Sequence, residues 1–155
     1  MREKRSGTII NISSLGAVNV NPGSGYYSAS KATLENMTTA LQKELEPLSI
    51  HVILVELGPF RTRFRVDSLS SANHNISDYD STSGAVAKSY QENPFNQSGD
   101  PDKAGKAIVK IVDEKSAKLV ILEKGMIELE EKTLKERIDE INKWREYSEN
   151  VDFED

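Results

Sequence analysis

The sequence predicts an α/β fold with a parallel, doubly wound sheet and the element order β-α-β-loop-α-β-α. Three short apolar runs rich in β-branched residues have the length of buried strands: Thr8–Ser13, Ile50–Glu56 and Lys118–Leu122. The segments between and after them repeat apolar residues every three or four positions, which is typical of helices. A strand, a helix of about 20 residues and a second strand normally form a right-handed crossover, so the strands are expected to be parallel.

Each long predicted helix has its own start or stop signal. The first is expected from Tyr26 to about Leu48, with Ser24 as its N-cap and Pro47 at its exit. The second begins after Asp100, an N-cap residue that is followed by proline at the first helical position. The third is a strongly charged helix from Glu128 to about Ser148.

Length and composition restrict the class of protein. The 155 residues predict one domain that is large enough to bury a core. No run of about 18 apolar residues is present, so no membrane span is expected. The chain contains no cysteine, which excludes disulfides and thiolate metal sites and fits a cytoplasmic protein. The net charge of −5 argues against nucleic acid as a partner.

A long polar stretch separates the second strand from the second helix. Residues 63–99 are dense in Ser, Asn and Asp, and a loop of this length inside a domain is usually functional or disordered. A short helical piece is expected near Gly84–Gln91. His74 lies here with Asp78 and Asp80, but one histidine and two carboxylates in a loop are common by chance. The sequence therefore predicts no metal site.

Three polar side chains are candidates for chemistry. Tyr27 and Lys31 are four residues apart, so they lie on one face of one helical turn. An ammonium beside a phenol stabilises the phenolate, which a general acid and base working near neutral pH requires. Ser14 ends the first strand, where parallel-sheet enzymes place reactive groups, and its hydroxyl can polarise a substrate oxygen. The Tyr-x-x-x-Lys spacing alone is a weak signal, because many helices contain it by chance.

The combination of motifs is much more specific than that spacing. Gly7–Ser14, a short glycine-containing loop and Tyr27–Lys31 follow one another at a characteristic separation, and Val55–Thr62 forms a strand-end motif. Together they closely resemble the short-chain dehydrogenase/reductase (SDR) family. The resemblance runs in register over Gly7–Arg63 and continues more loosely to the C-terminus. One departure is Leu57, where the family has proline.

The resemblance implies a partial Rossmann-type domain and NAD(P)-dependent oxidation or reduction of a small-molecule hydroxyl or carbonyl group. Tyr27 would exchange a proton with the substrate oxygen, and Ser14 would hydrogen-bond that oxygen. Lys31 would stabilise the phenolate and hold the ribose of the nicotinamide. Residues 63–99 would form the substrate loop. The nicotinamide carboxamide would lie against three residues that follow the second strand, namely Gly58, Phe60 (through its backbone) and Thr62.

The dinucleotide-binding half of such a domain is not found in the sequence. The family's glycine-rich phosphate loop, G-x-x-x-G-x-G, does not occur, and Gly23 and Gly25 fail its spacing. Residues 1–155 are therefore expected to be a single truncated domain that ends in a helix and tail at 126–155. Because hydride transfer needs the nicotinamide held at reacting distance, the isolated chain is expected to have negligible turnover.

Two other interpretations compete with a dehydrogenase. The chain could be a non-catalytic remnant that forms a homo-oligomer through the helix at 26–46. Four residues could supply that contact or simply cover the sheet: Leu34, Met37, Leu41 and Leu45. Ser28–Lys31 also matches the S-x-x-K motif of serine acyl-transferring enzymes. Those enzymes also have a K-T-G motif on a strand. The most similar segment here, Lys132–Leu134, falls in a predicted helix, which argues against this interpretation.

Overall fold

A parallel sheet of three strands forms the centre of the molecule. The computed structural model describes residues 1–70, 76–151 and 153. The described residues form β1 (Gly7–Ser14), β2 (Ile50–Leu57) and β3 (Leu119–Leu122), in the order β1-β2-β3 and with both pairs parallel. The predicted α/β class and parallel sheet are confirmed, because the three apolar runs are the three strands.

Helices follow each strand, as the periodicity predicted. The described part of the chain contains five of them: α1 (Gly25–Leu45), α2 (Ala85–Glu92), α3 (Pro101–Asp113), α4 (Met126–Lys143) and α5 (Arg145–Glu149). The α1 helix ends where the sequence indicated, since Pro47 lies in a single 3-10 turn that follows it. None of the described helices is long and apolar enough to cross a membrane.

The core is centred on β2, the middle strand. Ile53 and Val55 are 0% exposed, and Val52 and Leu54 are also buried. In contrast, the residues of β1 are mostly half-buried, and Ile12 is 38% exposed. The prediction that the first strand is buried is therefore wrong for this structure. The reason is its place in the sheet, because within the described residues β1 pairs with β2 and has a free outer edge.

The charged C-terminal helix is divided in two. The sequence predicted one helix from Glu128 to about Ser148, but α4 and α5 meet at Trp144, which has non-helical dihedral angles (φ −108°, ψ 11°). The backbone N–H of Trp144 is shared between the carbonyls of Ile141 and Asn142, which tightens the last turn of α4. The Trp144 indole donates a hydrogen bond of 2.9 Å to Glu140.

The described parts of residues 63–99 are mostly short helical turns. They include π-helical turns at Phe64–Ser68 and Asp80–Gly84. The α2 helix confirms the helical piece predicted near Gly84–Gln91. His74 lies outside the described residues. Among the residues that are described, no group of three His, Cys, Asp or Glu side chains is arranged to hold a metal ion.

The two predicted N-caps differ in what their side chains do. Asp100 accepts hydrogen bonds from the backbone N–H groups of Asp102 at 2.9 Å and Lys103 at 3.3 Å, so it caps α3 as predicted. Ser24 occupies the N-cap position of α1 but makes no capping bond. Its hydroxyl instead donates to the carbonyl of Asn21 at 2.7 Å.

The cap of α3 gives a first testable prediction. Replacing Asp100 with alanine leaves two backbone donors unsatisfied and is expected to lower the free energy of unfolding by about 1 kcal/mol. The matched control is Asp102→Ala, which removes an exposed first-turn carboxylate that is not the cap and should cost at most about 0.5 kcal/mol. Urea unfolding followed by circular dichroism measures both. Equal losses in the two variants would contradict the assigned cap.

Candidate active site

Ser14 and Tyr27 lie on either side of Gly16. A Cβ atom placed on Gly16 would be 3.2 Å from Cε1 of Tyr27 and 3.4 Å from Oγ of Ser14. The hydroxyl of Ser14 also accepts a hydrogen bond of 3.1 Å from the Gly16 N–H, which fixes the start of the 3-10 turn at Leu15–Ala17. A side chain at this position would crowd the Tyr27 ring, which would have to shift by a few tenths of an ångström.

Lys31 lies one helical turn beyond Tyr27 and reaches the end of β1. Its Nζ is 5.9 Å from the centre of the Tyr27 ring and donates a hydrogen bond of 3.1 Å to the carbonyl of Ile12. The structure therefore brings Ser14, Tyr27 and Lys31 to one end of β1, at the carboxyl edge of the sheet. This hydrogen bond links the side chain of the helix to the end of the strand.

The structure separates each candidate from its identical neighbour. Tyr26 is 98% exposed, whereas Tyr27 is 38% exposed and turns toward Gly16. Ser13 is buried and its hydroxyl donates a hydrogen bond of 2.6 Å to Glu35, so it faces α1. Side chains alternate along a strand, which is why Ser13 and Ser14 point in different directions.

Phe64 belongs to the same site but was not identified from the sequence. Its ring lies 6.0 Å from the ring of Tyr27, centre to centre, with 49° between the planes. This tilted arrangement is favourable for aromatic rings and restricts the position of the phenol. The one available signal was an aromatic residue two positions after the strand-end motif, and that does not specify its partner.

The chain that follows β2 contains the residues predicted to meet a nicotinamide. Phe60 forms a single parallel bridge with Gly99, in which the Arg61 N–H donates to the Gly99 carbonyl and the Gly99 N–H donates to the Pro59 carbonyl. In this pairing the N–H and carbonyl of Phe60 itself point away from Gly99. The hydroxyl of Thr62 accepts a hydrogen bond of 3.3 Å from the N–H of Phe64.

Gly58 is partly exposed, but other parts of the chain crowd one side of it. A Cβ atom at this position would lie 2.6 Å from Cγ of Met126 and 2.8 Å from Oε2 of Glu123. The start of α4 is therefore packed against the turn after β2, and Glu123 is fixed there by the hydroxyl of Ser98. The Met126 side chain therefore fills the space on the side of Gly58 where a Cβ would point.

The donor and acceptor set around the site fits the nicotinamide end of a dinucleotide. The Tyr27 phenol and the Lys31 ammonium can hydrogen-bond ribose hydroxyls. The backbone of Phe60 and the hydroxyl of Thr62 offer the donors and acceptors that a carboxamide requires. Gly58 is crowded by Met126 on the side where a Cβ would point and is otherwise partly exposed.

Polar side chains connect α1 to the sheet. Four residues at helical spacing form this polar row: Lys31, Glu35, Thr38 and Gln42. Glu35 accepts a hydrogen bond from the Ser13 hydroxyl, and the Thr38 hydroxyl accepts one from the Asn11 amide. The Gln42 amide donates to the carbonyls of Val52 and Lys118. The apolar residues of the predicted stripe lie to the side, half-buried or, for Met37, 65% exposed. Pairing of this helix with a second copy stays a prediction.

Three carboxyl groups meet beside the polar row. Glu56 and Glu130 are 2% and 7% exposed, and each has an Oε2 with no hydrogen-bond partner among the described residues. Burial raises the pKa of Glu56 to about 8, and the neighbouring carboxyl groups of Glu35 and Glu130 raise it further. Burial also raises the pKa of Glu35, against the opposing hydrogen bond from Ser13.

The serine of the S-x-x-K match does not resemble a nucleophile. Ser28 is 4% exposed, and its hydroxyl lies 3.2 Å from that of Ser24. The amine of Lys31 is bound to the Ile12 carbonyl instead. Lys132 and Thr133 are in α4 rather than on a strand. This geometry presents no accessible hydroxyl at Ser28 for acyl transfer.

Comparisons with known proteins agree with this geometry. The family model described as short chain dehydrogenase matches residues 1–73. A 3-ketodihydrosphingosine reductase from Bacteroides thetaiotaomicron is 38% identical over 120 residues, which are 75% of this chain and 43% of that protein. An NADPH-dependent 3-dehydrocapnine reductase from Ornithobacterium rhinotracheale is 33% identical over 90 residues, covering 57% of this chain and 32% of that protein.

A solved structure extends the likeness over almost the whole chain. A short-chain dehydrogenase from Streptomyces avermitilis superimposes with a TM-score of 0.81 and is 32% identical, covering 98% of this chain and 55% of that one. The chain thus spans about half the length of the relatives it matches. Its sheet, its site motifs and these matches identify it as part of a Rossmann-like oxidoreductase domain. The chain belongs to the short-chain dehydrogenase family.

Proposed function

We propose that this chain carries the proton-transfer side of an NAD(P)-dependent oxidoreductase that interconverts a carbonyl and a hydroxyl group. The observation that supports this most directly is the meeting of the Ser14 hydroxyl and the Tyr27 ring at Gly16, with the Lys31 amine one turn away. These groups lie at the carboxyl edge of a parallel sheet, which is where ligands bind in open α/β folds.

The proposed chemistry assigns one step to each side chain. In the direction of reduction, Tyr27 donates a proton to the substrate oxygen while hydride adds to the carbon, so a carbonyl becomes a hydroxyl. Ser14 donates a hydrogen bond to that oxygen as negative charge develops on it. Lys31 stabilises the phenolate that remains on Tyr27. The nicotinamide, when bound, supplies the hydride in this direction and accepts it in the reverse one.

Binding of the cofactor is assigned to residues on α1 and after β2. Tyr27 and Lys31 would hold the ribose hydroxyls, and Lys31 can do so by leaving the Ile12 carbonyl that it now contacts. The Phe60 backbone, Gly58 and Thr62 would hold the carboxamide, after displacement of Met126 from Gly58. Either NAD or NADP is compatible with this arrangement, because the contacts involve only the nicotinamide end.

A 3-keto compound with an apolar chain is the proposed class of substrate. Both relatives described above have names that refer to the reduction of a 3-keto or 3-dehydro compound. In this chain, the segment that begins at Phe64 beside Tyr27 carries three exposed apolar side chains: Phe64 at 46%, Val66 at 50% and Leu69 at 36%. Residues 63–99 are accordingly proposed to be the substrate loop.

Binding of nicotinamide mononucleotide tests the site without requiring the phosphate loop. This probe contains the ring and ribose that Tyr27, Lys31 and Thr62 are proposed to contact. We expect millimolar binding to the purified 155-residue chain, with the largest amide shifts in ¹⁵N-HSQC spectra near Ser14, Lys31 and Thr62. Lys31→Met should weaken binding about tenfold or more. The matched control Tyr26→Phe alters an exposed side chain and should bind like the wild type.

Turnover is measured separately, with NADPH or NADH and 3-ketodihydrosphingosine. We propose that the isolated chain has negligible activity, because its sequence contains no G-x-x-x-G-x-G loop for the pyrophosphate. Turnover that Tyr27→Phe abolishes would support the site but contradict the proposed inactivity. If nicotinamide mononucleotide does not bind and no turnover is found, the proposed function itself is contradicted.

A further inference from the structure

The docking of α4 on the sheet depends on few contacts. At its start, Met126 packs against Gly58, and one further turn along, Glu130 is buried against Glu56. The next turn has a hydrogen bond of 3.3 Å from the Asn19 amide to the Thr133 hydroxyl. Beyond this point the apolar side chains are largely exposed, including Ile138 at 56% and Ile141 at 58%. A single buried contact therefore has a large influence on whether the helix stays in place.

Within the described part of the chain, the surroundings of Glu56 contain too few hydrogen-bond donors for two carboxylates. In the sheet, its register partners are Ser13 on β1 and the apolar Ile121 on β3. The Ser13 hydroxyl is already donated to Glu35. Among the described residues, Lys31 is the cationic residue of α1 on the side that packs against the sheet. Its amine donates a hydrogen bond to the Ile12 carbonyl. Glu123 follows β3, and its carboxylate faces Gly58 and accepts a hydrogen bond from the Ser98 hydroxyl.

Two neighbouring carboxyl groups without other donors are stabilised by one proton between them. A protonated carboxyl donates to the ionised one, which satisfies an otherwise unpaired oxygen on each side. Two ionised carboxylates in the same buried place would repel each other and leave both oxygens without a donor. Glu56 and Glu130 are both buried, and one oxygen of each lacks a donor that a shared proton would supply.

We propose that Glu56 and Glu130 share one proton, and that this proton acts as a pH-sensitive clamp that docks α4 against the sheet. Loss of the proton to solvent releases the helix from β2 without unfolding the sheet. The clamp adjoins the candidate active site, since Glu56 lies two residues before Gly58, and Met126 at the start of α4 covers that glycine. Release of α4 would therefore also uncover Gly58.

The direction of the pH effect follows from the difference between docked and undocked states. Glu56 has a raised pKa of about 8 when docked and regains an ordinary value near 4.5 when water reaches it. Docking is then strongest below the ordinary value and weakens as the pH rises toward 8, above which it changes no further. Ionisation of Glu35, whose pKa is also raised, acts in the same direction.

Hydrogen exchange of the whole chain measures the clamp directly. Protection factors for amides at 127–133, corrected for intrinsic exchange, are expected to fall at least about tenfold between pH 5 and pH 8. Glu56→Gln removes the titrating carboxyl, so its protection should be nearly constant over this range. Glu130→Gln leaves Glu56 buried but supplies an amide donor to its carboxylate, so the fall should be clearly smaller than in the wild type. Amides of Val52–Val55 in the core of β2 should show no matching fall.

The neighbouring Glu131→Gln is the matched control, because it removes an exposed carboxyl from the same helix. It should retain the pH dependence of the wild type. Constant protection in the wild type from pH 5 to pH 8 would overturn the clamp. The same is true if Glu130→Gln and Glu56→Gln lose protection as the wild type does. Two variants are used so that failure of one to fold leaves the other as a test.

Discussion

Replacing Glu56 with glutamine is expected to make the stability of the chain less dependent on pH. In the folded protein, burial raises the pKa of Glu56 from its ordinary value of 4.5 to about 8. A raised folded-state pKa means that the folded chain holds a proton that the unfolded chain has lost between these values. The corresponding stability is fully present below pH 4.5 and is lost as the pH rises toward 8.

The variant should therefore gain stability relative to the wild type as the pH rises. We expect similar urea midpoints at pH 5 and an advantage for Glu56→Gln on the order of 2 kcal/mol at pH 8. The comparison of two proteins at each pH removes the contribution of carboxyl groups that both share. Glu131→Gln, on the solvent side of α4, should track the wild type. Stability curves for wild type and Glu56→Gln that stay parallel from pH 5 to pH 8 would contradict the raised pKa.

Shortening Ile53 to alanine is expected to cause the largest loss of stability of any single truncation in the sheet. Ile53 is 0% exposed at the centre of β2, so the change removes buried surface and leaves a cavity. The expected cost is about 3 kcal/mol, which is a large part of the roughly 5–15 kcal/mol that stabilises a typical domain. Guanidinium unfolding followed by circular dichroism measures the loss.

Ile12 is the matched control for Ile53. It is the same residue type, in the adjacent strand, but it is 38% exposed because β1 is at the edge of the described sheet. Ile12→Ala should cost about 1 kcal/mol or less. If Ile53→Ala does not fold, Ile53→Val should still cost about 1 kcal/mol and provides the measurement. Equal costs at Ile12 and Ile53 would show that β1 is as buried as β2 in solution.

The sequence was a good guide wherever the relevant partners are close along the chain. A buried strand, a helical period and an N-cap each depend on residues within a few positions of one another. This is why β1, β2, the start of α3 and the cap at Asp100 were predicted within a residue or two. The same reasoning holds for Tyr27 and Lys31, because residues four apart in a helix face the same side.

The errors share a different physical origin. β1 was expected to be buried because its residues are apolar, but burial depends on which strands lie beside it. The C-terminal helix was expected to be continuous because its periodicity is continuous, yet the backbone departs from helical angles at Trp144. Ser24 was expected to cap α1, and its hydroxyl found a different acceptor in Asn21. In each case the local sequence was compatible with more than one conformation, and contacts outside the local pattern decided which one formed.

By itself, the sequence determined the order of the strands and helices, the parallel sheet, and the common face of Tyr27 and Lys31. All of these follow from short-range periodicity and from the chirality of crossover connections. Tertiary structure alone decided that Ser14 meets Tyr27 at Gly16 and that Phe64 packs on the phenol. It also brought together three carboxyls from α1, β2 and α4, because strand register and helix docking join residues that are far apart in sequence.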